Sequence, residues 1–137
     1  MEVTRMRPVL STLLLPTLLL LCAVLIGCSH TSLTGKLAEV KVTGRGADAG
    51  GEFCSDFNLD DAQARQFFEQ AAVLDAGQLH DRFDTLPCYV RGTARLQGAA
   101  ADWIIRAGGT AEVHAPSSDL LLGCNTCDEL LGGKGDQ

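Results

Sequence analysis

The sequence predicts an α+β domain: one main helix packed on a small antiparallel meander sheet, stapled by disulfides. Three observations lead there. First, LDDAQARQFFEQAAVL, residues 59–74, sets Ala64, Phe67, Phe68, Ala71 and Leu74 on one helical stripe. Second, alternating apolar segments stand on both sides of that stripe, separated by glycine-bearing punctuation. Third, Cys54, Cys88, Cys124 and Cys127 are an even set spread along the same region. A helix laid on one face of an antiparallel sheet buries the apolar sides of both. The 137 residues suffice for one domain.

The elements follow in order. LAEVKVT, residues 37–43, alternates and is the first strand; GRGADAGG, residues 44–51, is a loop. Residues 52–57 form a short strand. The helix begins at Asp60 as N-cap, with Gln63 as capping-box partner and Leu59 stapled onto Ala64. Gly77 is its stop. PCYVRGTARLQG, residues 87–98, alternates again, and Pro87 suits a strand's first position. DWIIRAGGTAEVHA, residues 102–115, is a hairpin turning at Gly108-Gly109, where two glycines supply the positive φ of a two-residue turn. That register sets Trp103 opposite His114 and Ile105 opposite Glu112. DLLLGC, residues 119–124, is the last strand.

Ahead of the domain, Arg5 and Arg7 precede an uncharged run from Pro8 to Gly27. Basic residues before an apolar core have the form of a secretory signal. The run is long enough to span a bilayer, so length alone leaves an uncut anchor open. Leu25-Ile26-Gly27-Cys28 resembles the lipobox of bacterial lipoproteins. The resemblance implies a diacylglyceryl group on the Cys28 thiol, a cut before Cys28 and acylation of the new amino terminus. Lipid chains then hold the protein to the membrane. Ser29 resembles the residue that sends Gram-negative lipoproteins to the outer membrane. The expected organisation is a signal peptide over residues 1–27, lipidated cysteine and tether over 28–36, a single domain over 37–131 and a flexible tail over 132–137.

Charge narrows the partners. Losing Glu2, Arg5 and Arg7 with the leader takes the formal charge from −6 to −7. Arg65, Arg82, Arg91, Arg95 and Arg106 form no run, so a nucleic-acid surface is not expected. An acidic domain is weakly repelled by an anionic membrane, which leaves attachment to the lipid.

With Cys22 in the signal and Cys28 lipidated, four cysteines remain for the mature domain. In an oxidising envelope structural disulfides are the favoured use. Cys124-Asn125-Thr126-Cys127 also admits a redox pair or half a zinc site. A thioredoxin-like CxxC stands early, at a helix start, whereas this one lies near the end of the chain. Zinc would need Cys54, Cys88 and the CxxC to converge on one ion. Of the three pairings, those that split the CxxC between Cys54 and Cys88 are preferred: they close longer loops and dock the end of the chain. Nothing separates the two split pairings.

The histidines add little chemistry. His80 in LHDRFD, with Asp81 and Asp84, is a candidate ligand or general base, though a solvated polar cluster is the simpler reading. His114 is expected to pack on Trp103, and His30 sits in the tether. Arg106 before Gly108-Gly109-Thr110 offers an anion nest that the hairpin already explains. There is no nucleophile elbow. No catalytic residue, metal or cofactor is expected.

The pattern FNLD with Phe67-Phe68, then PCYVRG, then WIIRAGGT resembles small uncharacterised Gram-negative lipoproteins and implies no activity. The expectation is a lipid-anchored envelope accessory protein facing the periplasm and acting by binding, with an envelope protein as possible partner. Two alternatives are a thiol-disulfide or metal-handling protein using Cys124 and Cys127, and an inhibitor or immunity-type partner of an envelope protein.

Overall fold

A computed structural model describes residues 37–132. The leader, Cys28 and its lipobox, the tether with His30, and residues 133–137 of the tail lie outside the described residues. No helix among the described residues is long and apolar enough to cross a membrane.

The strands are β1 (Leu37–Ala47), β2 (Ala72–Leu74), β3 (Cys88–Leu96), β4 (Ala99–Arg106), β5 (Thr110–Ala115) and β6 (Ser118–Gly123). They form one sheet in the order β1-β3-β4-β5-β6-β2, and every neighbouring pair is antiparallel. The centre is the meander β3 to β6. Two short helices, α1 (Asp61–Gln70) and α2 (Ala76–Arg82), flank β2 in the chain. A 3₁₀ turn, Cys54–Asp56, follows β1.

One face of the sheet carries the core. Along β3, Val90, Ala94 and Leu96 are buried while Arg91, Thr93 and Arg95 are exposed, the two-residue period of a half-buried strand. Trp103, Ile105, Ala111, Val113 and Leu122 continue that face, and α1 covers it with Ala64, Phe67 and Phe68. The Trp103 indole Nε1 donates to the Thr93 carbonyl at 2.9 Å, which satisfies the one polar atom it buries.

The helix start is as the sequence indicates. The Asp60 side chain accepts from Gln63 N at 2.8 Å, and the Gln63 side chain accepts from Asp60 N at 2.9 Å. Leu59 and Ala64 are both buried in the same core. The next residue, Asp61, ties the helix to the sheet edge: its carboxylate takes Val42 N at 2.8 Å and Lys41 Nζ at 2.8 Å. The Lys41 hydrogen bond, then that from Val42, holds the Asp61 carboxyl below the usual range. The contact also occupies a backbone donor of edge strand β1 that would otherwise stand open to pairing.

The α+β expectation of one main helix on a small sheet is corrected: the domain is mainly β, a six-stranded antiparallel sheet with two short helices. Two boundaries account for the difference. The helix does not run to Leu74. Ala71 is extended (ψ 145°), and Ala72–Leu74 pair with Leu121–Gly123, so ladder bonds take the place of a further helical turn. At the other edge, GRGA of the expected loop is strand. Gly44 and Gly46 lie opposite Arg91 and Tyr89, and those side chains fill the space above them. Residues 52–57 are a turn followed by the 3₁₀ element Cys54–Asp56 rather than a strand. Gly77 does not stop the helix; it lies inside α2, which has its own capping box in Asp75 and Gln78.

The β4–β5 register is also corrected, by one residue. Trp103 lies opposite Val113, Ile104 opposite Glu112 and Asp102 opposite His114. The connection is three residues, Ala107–Gly109, with Gly109 at φ 83° and its N–H on the Arg106 carbonyl. Burial decides it: this register puts Ala111 and Val113 inside with Trp103 and Ile105, whereas a one-residue slip would turn His114 inward. The two-residue turn is elsewhere, at Gln97-Gly98 between β3 and β4, with φ of 53° and 86°.

The expected split of the CxxC is overturned. The disulfides are Cys54–Cys88 and Cys124–Cys127. Cys54 follows β1, whose far end pairs with Cys88, so the nearest cysteine on the sheet is its partner. The chain turns directly after β6, which folds Cys127 back onto Cys124.

Candidate functional site: the open face of the sheet

Residues that alternate with the core line the other face. In register across the strands stand Tyr89 and Arg106; Arg91, Ile104, Glu112 and Leu121; and Thr93, Asp102, His114 and Asp119. The α2 segment closes one end of this face. Ala76, Leu79, His80, Phe83, Thr85, Thr110 and Leu121 enclose a pocket of about 150 Å³ there. The rest of the face has no helix packed over it among the described residues.

Two charge groups organise the surface. Arg106 Nη1 pairs with Asp48 at 2.7 Å, and Glu112 lies 4.0 Å from its Nε. Its guanidinium sits 5.7 Å from the Tyr89 ring centre, a cation–π distance. His114 bridges two carboxylates, Asp119 at 3.0 Å from Nδ1 and Glu112 at 3.4 Å from Nε2. The Asp119 hydrogen bond, helped by the charges of Asp119 and Glu112, raises the His114 pKa against partial desolvation. Beside them a shallow depression of about 380 Å³ is lined by Thr43, Arg91, Gly92, Asp102, Trp103, Ile104 and His114. Thr43 is the extra residue of a bulge in β1, between the pairs Val42–Gly92 and Gly44–Arg91. The bulge re-aims Thr43, whose hydroxyl donates to the Arg91 carbonyl at 3.4 Å.

The sequence-derived candidates are distributed differently. His114 is on the open face and Trp103 on the core face, so the expected packing between them does not occur. His80 is exposed on α2 at the small pocket. The expected anion nest is the β4–β5 turn, with Gly109 accepting from Cys124 N at 2.8 Å. No group of three or more His, Cys, Asp or Glu among the described residues is placed to hold a metal ion. The Cys124–Cys127 ring is buried, at 3% and 0% exposure, with Gln70 Oε1 of α1 at 3.9 Å from Cys127 Sγ. A thiolate attacking either sulfur has no open approach in this state.

No motif in the sequence marks Arg91, Asp102, Glu112 or Asp119 as site residues; Arg91 enters it only as a scattered charge and Glu112 only through the hairpin register. Their signal is the polar half of the strand alternation, which becomes a surface only once the strand order is known.

No family model matches the chain, no curated protein matches it, and no solved structure matches it.

Proposed function

We propose that this chain is a lipid-anchored envelope protein that acts by binding, with the open face of its sheet as the contact surface. The depression around Ile104 carries the binding part. A guanidinium (Arg91), a carboxylate (Asp102), an imidazole (His114) and a hydroxyl (Thr43) surround an apolar floor on paired strands. Mixed polar groups around an apolar centre suit recognition of another protein's surface, and a hydrogen-bonded sheet supplies the preorganisation that makes such contacts productive. The leader supports the anchoring part: Arg5, Arg7, the apolar run and Leu25-Ile26-Gly27-Cys28 together. Ser29 favours the outer membrane, with the domain facing the periplasm.

The test has two arms. Mass spectrometry of the chain extracted from host membranes should find an acylated Cys28 as first residue, and Cys28→Ala should release or strand the protein. A photo-crosslinking residue at position 104 should give a discrete protein adduct in intact cells, and one at Arg65 on α1 should not. Unprocessed leader rejects the anchor; equal labelling from both positions rejects the open face.

A second reading is favoured by one observation, the local pairing of Cys124 with Cys127. A CxxC ring is the arrangement thiol-disulfide exchange uses, although burial of both sulfurs opposes it. A ring that glutathione opens without unfolding the domain would put redox chemistry ahead of binding.

A further inference from the structure

We propose that the Phe53 loop is a second docking surface, separate from the open face, which inserts an aromatic anchor into an apolar pocket of a protein partner ringed by Lys or Arg. Phe53 is 71% exposed, the most open of the exposed large apolar side chains among the described residues. Isolated exposed apolar residues are ordinary, so exposure alone argues nothing. The difference lies in how this one is held.

Phe53 precedes Cys54, whose disulfide fixes it to Cys88 of β3. Backbone bonds brace the loop on both sides: Asp48 N to the Pro87 carbonyl at 3.0 Å, Gly51 N to Asp48 at 3.1 Å, Cys54 N to Gly51 at 3.1 Å and Phe57 N to Cys54 at 3.2 Å. Arg45 Nη1 donates to the Ser55 carbonyl at 3.1 Å. Asp48 is pinned by Arg106. The loop is therefore ordered before any partner arrives, and an aromatic side chain with few torsions loses little further freedom on binding. Leu86, 42% exposed, is two residues from Cys88 and is drawn to the same end of the sheet.

Charge identifies the partner's chemistry. Glu52 and Asp56 flank Phe53, both exposed, and neither forms an ion pair among the described residues. Of the two arginines that brace the loop, Arg106 is paired with Asp48, and Arg45 is turned onto the Ser55 carbonyl rather than onto Glu52 or Asp56. Asp56 accepts only from the neighbouring Ser55 hydroxyl, at 3.3 Å, which leaves its charge uncompensated. An apolar tip between two carboxylates outside any ion pair is repelled by an anionic bilayer surface and complements a basic-rimmed pocket. A protein is thus the occupant.

The inference rests on the reading of the chain as a binding protein, not on the open face or on Cys28. A photo-crosslinking residue replaces Phe53 in the full chain, in intact cells of the host, alongside the chain labelled at position 104. The expected result is a discrete adduct from position 53 whose partner peptide contains apolar residues beside Lys or Arg. Adduct yield should fall about tenfold or more in the Glu52→Lys/Asp56→Lys variant, because like charges then face each other. Should that variant melt below the parent, Glu52→Gln/Asp56→Asn serves, with a smaller fall expected. Adducts to lipid alone, to a second copy of this chain alone, or to an acidic peptide overturn the proposal, as does no adduct or a yield indifferent to both variants. An adduct from position 104 with none from 53 overturns this surface and leaves the open face standing.

Discussion

The ring of Phe68 meets the indole of Trp103 edge-on, with centroids 5.5 Å apart and planes inclined at 77°. Phe67 stands against Phe68 in the same way, at 5.7 Å and 89°. This aromatic run joins α1 to the middle of the sheet, and all three residues are at most 3% exposed. Phe68→Ala removes the link between helix and indole and leaves a cavity that the paired strands cannot collapse into. It should cost roughly 3–5 kcal/mol, as should Phe67→Ala. Urea unfolding followed by Trp103 fluorescence measures it, and a wild-type midpoint in both variants would contradict the packing.

Trp103 can lie flat on the sheet because the residue opposite it is Gly92. A Cβ there would stand 1.9 Å from the Lys41 carbonyl and 2.3 Å from the indole. Both the β1 backbone and the Trp103 ring would have to move. Gly92→Ala should therefore destabilise at or beyond the upper end of the ~1–3 kcal/mol typical of overpacking. Gly98→Ala is a useful contrast: its Cβ meets nothing, so its loss reflects only backbone strain at φ 86°. A Gly92→Ala protein as stable as the parent would mean that β1 does not lie where it is described.

The sequence made the helix start legible because capping is local: Asp60 and Gln63 are three residues apart. The same D-x-x-Q signature at Asp75 and Gln78 marks α2, but Gly77 inside it has the local form of a helix stop and masks the signature. The strands of the meander were legible from alternation. What was not legible is long-range. Ala72–Leu74 look helical until Leu121–Gly123 are known to be their partners, and GRGA looks like a loop until Tyr89 and Arg91 are seen to cover it. The hairpin register failed for a related reason. Gly108-Gly109 fits a two-residue turn locally, but burial of Val113 with Trp103 selects three residues. The open face, and the charges on it, then follow from strand order, which no local pattern contains.

The two disulfides should behave differently under reduction. Cys54 is partly exposed, whereas Cys124 and Cys127 are both buried. Mild dithiothreitol without denaturant should open Cys54–Cys88 first, because exchange requires access to a sulfur. Its loss also matters more to the unfolded chain. The bond spans 34 residues against 3 for the ring, and chain entropy assigns about 4 kcal/mol to the first and about 2 kcal/mol to the second. Timed alkylation with peptide mapping gives the order, and Cys54→Ser/Cys88→Ser gives the energy. Prior opening of the ring would contradict the burial and support the redox reading.

His114 makes stability depend on pH, and the sign follows from its neighbours. Asp119 at 3.0 Å and Glu112 at 3.4 Å favour the imidazolium, so the folded pKa lies above the ordinary 6.5. A group raised on folding contributes fully below its unfolded pKa and loses that contribution as pH climbs through the folded one. Stability should therefore decline as pH rises from about 6.5 through the neutral range, over and above any change from other groups. The side chain is half exposed, so the decline should be modest and should shrink in high salt. His114→Gln should remove it, and Asp119→Asn should reduce it by withdrawing the largest cause of the shift. Urea midpoints of the three proteins, at intervals from roughly pH 5.5 to 8.5, supply the comparison. If the parent and His114→Gln profiles run parallel throughout, the imidazole is not bridging Glu112 and Asp119 in solution. The same titration alters the open face, because above the folded pKa the depression beside Ile104 keeps Arg91 as its lasting cation and loses the imidazolium charge beside Asp102.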